Sequence, residues 1–309
     1  MNKEIKAKID KIQFLKEKRN AIILSHNYQL PEIQDIADYR GDSLGLSRIA
    51  ADIQCDVIVF CGVHFMAESA FILSPDKTVL LPELEAGCPM ADMITGEELR
   101  HEKDKIGKDV NVVCYVNTTA EVKAESDICC TSANAIQVLK SLDPNKKVLM
   151  IPDMHLAKYA AEKANHPNVI FYPGFCPTHH RLRKSEIERK IKKYPEAEIL
   201  VHPECPSDII QLADKVLSTS GMLTYAKKSD CKSFIIGTEM GLIYSLNKEN
   251  PDKNFYIASE SLVCPNMKKT SLDSVVNALE NNVHLIKIPE EIRIKAKRSL
   301  DRMLEIPRD

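Results

Sequence analysis

Three cysteines, Cys88, Cys176 and Cys264, recur at equal intervals of 88 residues, each followed by proline, in "GCPM", "GFCPTHH" and "VCPN". Thiolates are soft ligands, so three at matched positions could form a three-cysteine zinc site or hold an iron–sulfur cluster. A structural zinc usually takes a fourth ligand and builds on local pairs. No C-x-x-C pair occurs in the chain, which also argues against a thioredoxin-type redox site. Ligands this far apart suit a cluster held between units. A lone buried cysteine is more often a small core residue. The shared interval and the shared Cys-Pro step single out this trio. Cys205 also precedes a proline but breaks the interval, while Cys55, Cys61, Cys114, Cys129, Cys130 and Cys231 lie in or beside apolar runs and are expected in the core.

A second constellation ends three apolar runs. "AIILSHNY" (21–28) carries His26, Asn27 and Tyr28; "NVVCYVNT" (111–118) carries Tyr115 and Asn117; "EILVHPE" (198–204) carries His202 and Glu204. His and Glu carry protons near neutral pH once their surroundings tune them. Tyr can serve if its pKa is lowered. Ser43, Ser132 and Thr219 are small hydroxyls ahead of predicted helices. Such loops offer hydroxyl and backbone N–H donors to carboxylates or phosphates, although most residues of this kind simply cap helices. No Walker A or dinucleotide-binding glycine pattern is present. "HHRLRK" (179–184) reads as a basic, solvated helix start.

The elements that must position these residues form a threefold repeat. Each apolar run reads as a buried parallel strand. A second strand follows, opened by Asp56, Asp127 or Asp214, with Cys61, Ser132 or Thr219 five residues on. A helical stretch leads to a third strand, ending in Glu83, Asp153 or Glu239, and then to the Cys-Pro step. A helix comes next, with Thr95, Ser185 or Ser271 as candidate cap and Glu98 or Glu188 three residues beyond the first two. On this alignment the first unit has an insertion at 29–55 and lacks one helix and strand before its cysteine, so the equal intervals are partly coincidence. The expected fold is α/β: three similar three-layer domains with small parallel sheets about a pseudo-threefold axis. Residues 1–108, 109–195 and 196–288 form the domains, and 289–309 a terminal helix. Ligands bind beyond the carboxyl ends of parallel strands, so the three domains would share one central cavity.

Composition bounds the reading. The 309 residues are 44% hydrophobic and 28% charged, with a net charge of −2, which gives no electrostatic case for nucleic acid or an anionic membrane. No apolar run approaches the ~20 residues of a membrane span. "MNKEIKAKIDKIQFLKEKRN" reads as an amphipathic helix through Ile5, Ile9 and Ile12 rather than a signal peptide, so a cytoplasmic location with reduced thiols is expected.

Taken together, "LSHNYQ", "GDSLGLS", "AGCPMADM", "YVNTTAEVKAESDICCTSANA", "PGFCPTH", "HPEC", "STSGM", "GTEMGL" and "CPNMKKT" resemble the motifs of the quinolinate synthase family, in order from about residue 20 to 290. Arg40 in "ADYRGDS" departs from the small or apolar residue expected there, and "CPNM" replaces the C-x-x-C-x-x-C of some members. The resemblance implies three α/β domains about a pseudo-threefold axis. It also implies a 4Fe–4S cluster on Cys88, Cys176 and Cys264, with one iron open to substrate as a Lewis acid. The implied reaction is a transferase-class condensation of iminoaspartate with dihydroxyacetone phosphate to quinolinate, in NAD biosynthesis. His26, Ser43, Tyr115, Asn117, Ser132, His202, Glu204 and Thr219 are then the substrate-binding set. Tyr28 and Glu204 are the proton-transfer candidates, supported by His202. A functional link to an L-aspartate oxidase or dehydrogenase follows. A three-thiolate zinc hydrolase and an iron–sulfur redox sensor are the alternatives.

Overall fold

The computed structural model describes residues 3–107 and 109–308; the expected break at 108 adjoins a residue outside them. Among the described residues, twelve strands run β1 Ala21–His26, β2 Tyr39–Gly41, β3 Val57–Cys61, β4 Thr78–Leu80, β5 Val110–Tyr115, β6 Ile128–Cys130, β7 Lys147–Ile151, β8 Val169–Phe171, β9 Glu198–Val201, β10 Lys215–Val216, β11 Ser233–Gly237 and β12 Asn254–Ile257. They form three wholly parallel sheets of one topology: β2-β1-β3-β4, β6-β5-β7-β8 and β10-β9-β11-β12. Strands β3 and β11 are buried at every residue. Burial on both faces explains why they read as unbroken apolar runs rather than alternating ones.

The repeat is more regular than the sequence alignment made it. The amides of Ile23, Val112 and Ile199 donate to the carboxylates of Asp38, Asp127 and Asp214 at 2.7, 2.7 and 2.8 Å. Asp38, not Asp56, is therefore the first unit's counterpart. Residues 29–55 are no insertion, because they hold β2 and the helices Pro31–Ile36 and Ser43–Asp52. The first unit likewise has its helix His64–Leu73 and β4 before Cys88. The hydroxyl five residues past Asp38 is Ser43, whereas Cys61 ends β3 in the core. The first unit has Val63 where the others have Asp153 and Glu239; Glu83 is a half-buried loop residue. The 88-residue interval thus reflects the repeat length, since Asp38, Asp127 and Asp214 recur at 89 and 87 residues. The slip came from β2, whose three residues "YRG" carry no apolar signature.

Thr95 and Ser271 cap their helices, Thr95 with Glu98 in a reciprocal capping box. Ser185 does not: the helix Lys184–Lys193 starts before it, and Glu186 accepts the Arg183 amide. In the N-terminal helix Lys3–Arg19, Ile12 and Leu15 carry the burial while Ile5 is exposed. The C-terminal helix Glu290–Glu305 packs on β6 and on the helices Ala120–Ala124 and His64–Leu73, sealing the first sheet unit to the second. Arg40 reaches Ser245 and Glu249 of the third unit. Among the described residues no helix is long and apolar enough to cross a membrane.

One glycine is demanded by packing just before Cys176. Gly174 bridges to Asp153, and a Cβ there would lie 2.5 Å from the carbonyl oxygen of Pro152. Gly174→Ala is expected to cost about 1–3 kcal/mol of stability, read from the midpoint of chemical denaturation. An unchanged midpoint would mean the backbone yields freely here.

Candidate active site

The Cys-Pro step has a local physical reason. Each one opens a short helical turn: Ala91–Met93 after Cys88, Pro177–His180 after Cys176 and Asn266–Lys268 after Cys264. Pro177 takes the first helical position, where a missing N–H is no loss. Each sulfur then meets the backbone N–H three residues on, from Ala91, His179 and Met267 respectively. Carboxylates from the ends of β7 and β11 fix two of the cysteines. Asp153 Oδ2 accepts the Cys176 amide at 3.0 Å, and Glu239 Oε1 accepts the Cys264 amide at 3.1 Å.

All three sulfurs face one cavity at the carboxyl ends of the central strands, and none of the other seven cysteines lines it. His26, Tyr115 and His202 stand at equivalent positions closing β1, β5 and β9, and Tyr28, Asn117 and Glu204 lie two residues beyond them. These six, with Ser43, Ser132 and Thr219, all line the same cavity. The structure therefore brings all twelve expected residues together.

The first and third units share a device. Nδ1 of His26 accepts the Tyr28 amide at 3.2 Å, and Nδ1 of His202 accepts the Glu204 amide at 3.3 Å. An accepting Nδ1 in a neutral imidazole leaves the proton on Nε2. His202 Nε2 thus donates to Ser132 Oγ at 3.0 Å. A hydrogen-bonded chain crosses the cavity. Tyr28 Oη lies 2.6 Å from Thr238 Oγ1, which lies 2.8 Å from His179 Nε2. His179 Nδ1 lies 2.6 Å from Glu204 Oε2, and the Tyr115 hydroxyl donates to Glu204 Oε1 at 2.6 Å. Asn27 Nδ2 donates to Thr219 Oγ1 at 2.9 Å. Asn117 Oδ1 is buried without a partner among the described residues, as a ligand-facing atom would be.

The family model described as NadA, quinolinate synthetase A protein, matches residues 10–305. Over 298 residues the chain is 54% identical to a quinolinate synthase of Thermodesulfovibrio yellowstonii, covering 96% of this chain and 98% of that protein. It is 53% identical over 309 residues, the full length of both, to one of Pelobacter propionicus. It is 52% identical over 298 residues to one of Methanosarcina barkeri, covering 96% of this chain and 97% of that protein. The chain belongs to the quinolinate synthase family.

For this member of the quinolinate synthase family, burial sets the protonation states. It lowers His26 to about 4 and His202 to about 3, so both are neutral donors near pH 7. Burial, reinforced by the Glu204 charge, pushes Tyr28 and Tyr115 well above the usual phenol value. Both phenols therefore hold their protons and are donors. Burial also opposes ionisation of Glu204. His202, His179 and the Tyr115 hydroxyl outweigh it and hold the carboxyl well below its usual range. The thiols are raised by burial, Cys88 to about 12.

His179 was misread as part of a solvated basic run. It is 1% exposed. Its spacing of three from Cys176 on a helical turn, which puts both on one face, was the available signal. Thr238, Glu239 and Asp42 also line or brace the cavity and were missed as site residues.

Neutral buried histidines carry a stability signature. Their folded-state pKa lies below the unfolded value near 6.5, so the stabilisation is present above pH 6.5 and is lost as pH falls. His26 and His202 together are expected to remove about 3 kcal/mol between pH 6.5 and 5. Denaturant titrations at both pH values check this, and replacing either residue by Gln should flatten the slope by about half.

Proposed function

We propose that this chain condenses iminoaspartate with dihydroxyacetone phosphate to quinolinate, with loss of phosphate and water, on a 4Fe–4S cluster held by Cys88, Cys176 and Cys264. The observation that carries the reading is that one cysteine from each repeat meets the strand-end His, Tyr, Asn and Glu set at a single cavity. The donor set fits a cluster: three thiols, each facing a backbone N–H, beside an unpartnered amide oxygen. Such a cluster, lacking a fourth protein ligand, supplies a Lewis acid for a substrate oxygen.

The chain's own residues do the rest. Ser43, Ser132 and Thr219, with the Nε2–H groups of His26 and His202, are donors placed to bind the carboxylates and phosphate. Asn117 Oδ1 accepts from a substrate N–H or O–H. Tyr28 gives a proton to a leaving oxygen, and ionised Glu204 receives one from carbon or nitrogen. Thr238 and His179 join those two groups and can level their protonation between steps. Imines hydrolyse readily, so an oxidase or dehydrogenase acting on L-aspartate must supply the four-carbon substrate.

A second metal reading rests on one observation. Ligand atoms of Cys176, His179 and Glu204 lie within 4.8 Å of one another, a mixed set that suits zinc. Metal and sulfide analysis of anaerobically purified protein, with an assay for quinolinate from the two substrates, decides between them. Iron with sulfide and quinolinate formation are expected. Stoichiometric zinc without sulfide would favour a zinc site, on this set or on the three thiolates, and a cluster without turnover would favour a redox sensor.

A further inference from the structure

Arg308 lies past the C-terminal helix, far in sequence from every element of the cavity, yet its guanidinium forks onto Asp42. Nη1 meets Oδ2 at 2.6 Å and Nη2 meets Oδ1 at 2.9 Å. Asp42 is buried and caps the helix Ser43–Asp52, its Oδ1 also accepting the Gly45 amide at 2.8 Å. Asp42 and the adjacent Ser43 both line the cavity. We propose that Arg308 is a positioning residue, which fixes Asp42 at the head of this helix and thereby sets where Ser43 stands in the active-site wall. The functional half of this inference rests on the proposed quinolinate-forming role of the cavity.

Several independent features converge on the fork. A Cβ on Gly45 would sit 3.1 Å from Arg308 Nη2 and 3.3 Å from Asp42 Oδ1, so glycine leaves the guanidinium its room. The tie is reciprocal: Arg48, on the same helix as Ser43, donates to the carbonyls of Leu304 and Ile306 at 3.3 and 2.9 Å. The second repeat adds Asn134 Nδ2, which donates to the Met303 carbonyl at 3.2 Å, and the third adds a Ser220 hydrogen bond to Asp42. Residues 303–308 thus tie the first repeat to the second, and the third repeat joins the fork through Asp42. Arg308 itself faces an outer groove that meets the cavity at Ser132. Burial alone would push the Asp42 carboxyl up, and the Arg308 fork more than offsets this, keeping the carboxylate ionised as a cap. No cysteine ligand candidate touches the fork, so cluster content should not depend on it.

The test compares Arg308→Ala, Arg308→Lys, Ser43→Ala and the Arg308→Ala/Ser43→Ala double variant in the cluster-loaded enzyme. Amide exchange at residues 43–46 should quicken about tenfold in Arg308→Ala and less in Arg308→Lys, which keeps charge but not the planar fork. This reading is independent of the reaction and stands or falls even if no quinolinate forms. In turnover, Arg308→Ala should raise KM by roughly tenfold for the same substrate whose KM rises in Ser43→Ala. Its kcat and iron content should stay near those of the parent, and the double variant should cost no more than Ser43→Ala. Added guanidinium ion should partly restore KM in Arg308→Ala alone. Unchanged exchange at 43–46, additive effects in the double variant, or a uniform loss of iron and kcat without a KM split would overturn the proposal.

Discussion

Replacing any one of Cys88, Cys176 or Cys264 by serine is expected to reduce bound iron and sulfide to background and to abolish turnover. Serine keeps the size of the residue and can still accept the backbone N–H of Ala91, His179 or Met267, so the turn after each Cys-Pro step should survive. What it removes is the soft sulfur ligand. The site has no spare: none of the other seven cysteines lines the cavity. Cys205→Ser and Cys231→Ser are the informative controls. Cys205 is buried in a separate apolar cluster of the third repeat, and the Cys231 sulfur sits against backbone carbonyls of Glu196 and Ser233. Both control variants should load iron and sulfide as the parent does. Full loading in Cys176→Ser, or loss specific to Cys205→Ser, would remove the cluster assignment. The raised thiol pKa values add a second reading, because three neutral thiols must lose their protons to become ligands. Loading should therefore release protons and run faster as pH rises from 6 to 8.

The sequence carried the site more fully than it carried the repeat. Cys88, Cys176 and Cys264 were visible because an interval and a dipeptide recur together. The strand-end polar residues were visible because each interrupts an apolar run. The strand alignment failed in the first unit, where Asp56 precedes an apolar run that looks like a second strand and is the third. The true marker, Asp38, shows itself through a hydrogen bond to Ile23, fifteen residues back in the chain. That spacing is the same in all three repeats, yet it becomes a signal only once the pairing is known. His179 and Thr238 were missed for another reason. Their roles lie in contacts between repeats, which periodicity within a segment does not encode. Arg308 is the extreme case, 266 residues from its partner.

Tyr28→Phe and Glu204→Gln are expected to leave the cluster in place and to lower turnover by roughly 10²-fold or more. Tyr28 is buried with its ring against the apolar core, so Phe preserves the packing and deletes one hydroxyl. That hydroxyl is a neutral phenol, since burial and Glu204 both hold its proton on. It can thus act as an acid across the working pH range. Glu204→Gln keeps the shape but removes the charge that His179 and the Tyr115 hydroxyl address. The chain from Tyr28 through Thr238 and His179 then loses its proton acceptor, so its effect should be at least as large as that of Tyr28→Phe. The pH profile separates these roles from general damage. Glu204 is held well below its usual range and Tyr28 well above it, so neither should produce a limb between pH 6 and 8 in the parent. Because both groups belong to one path, the double variant should be little worse than Glu204→Gln alone. Near-parental turnover in Tyr28→Phe, with iron and sulfide intact, would reduce Tyr28 to a packing residue. Losses that multiply in the double variant would separate the two groups into unconnected steps.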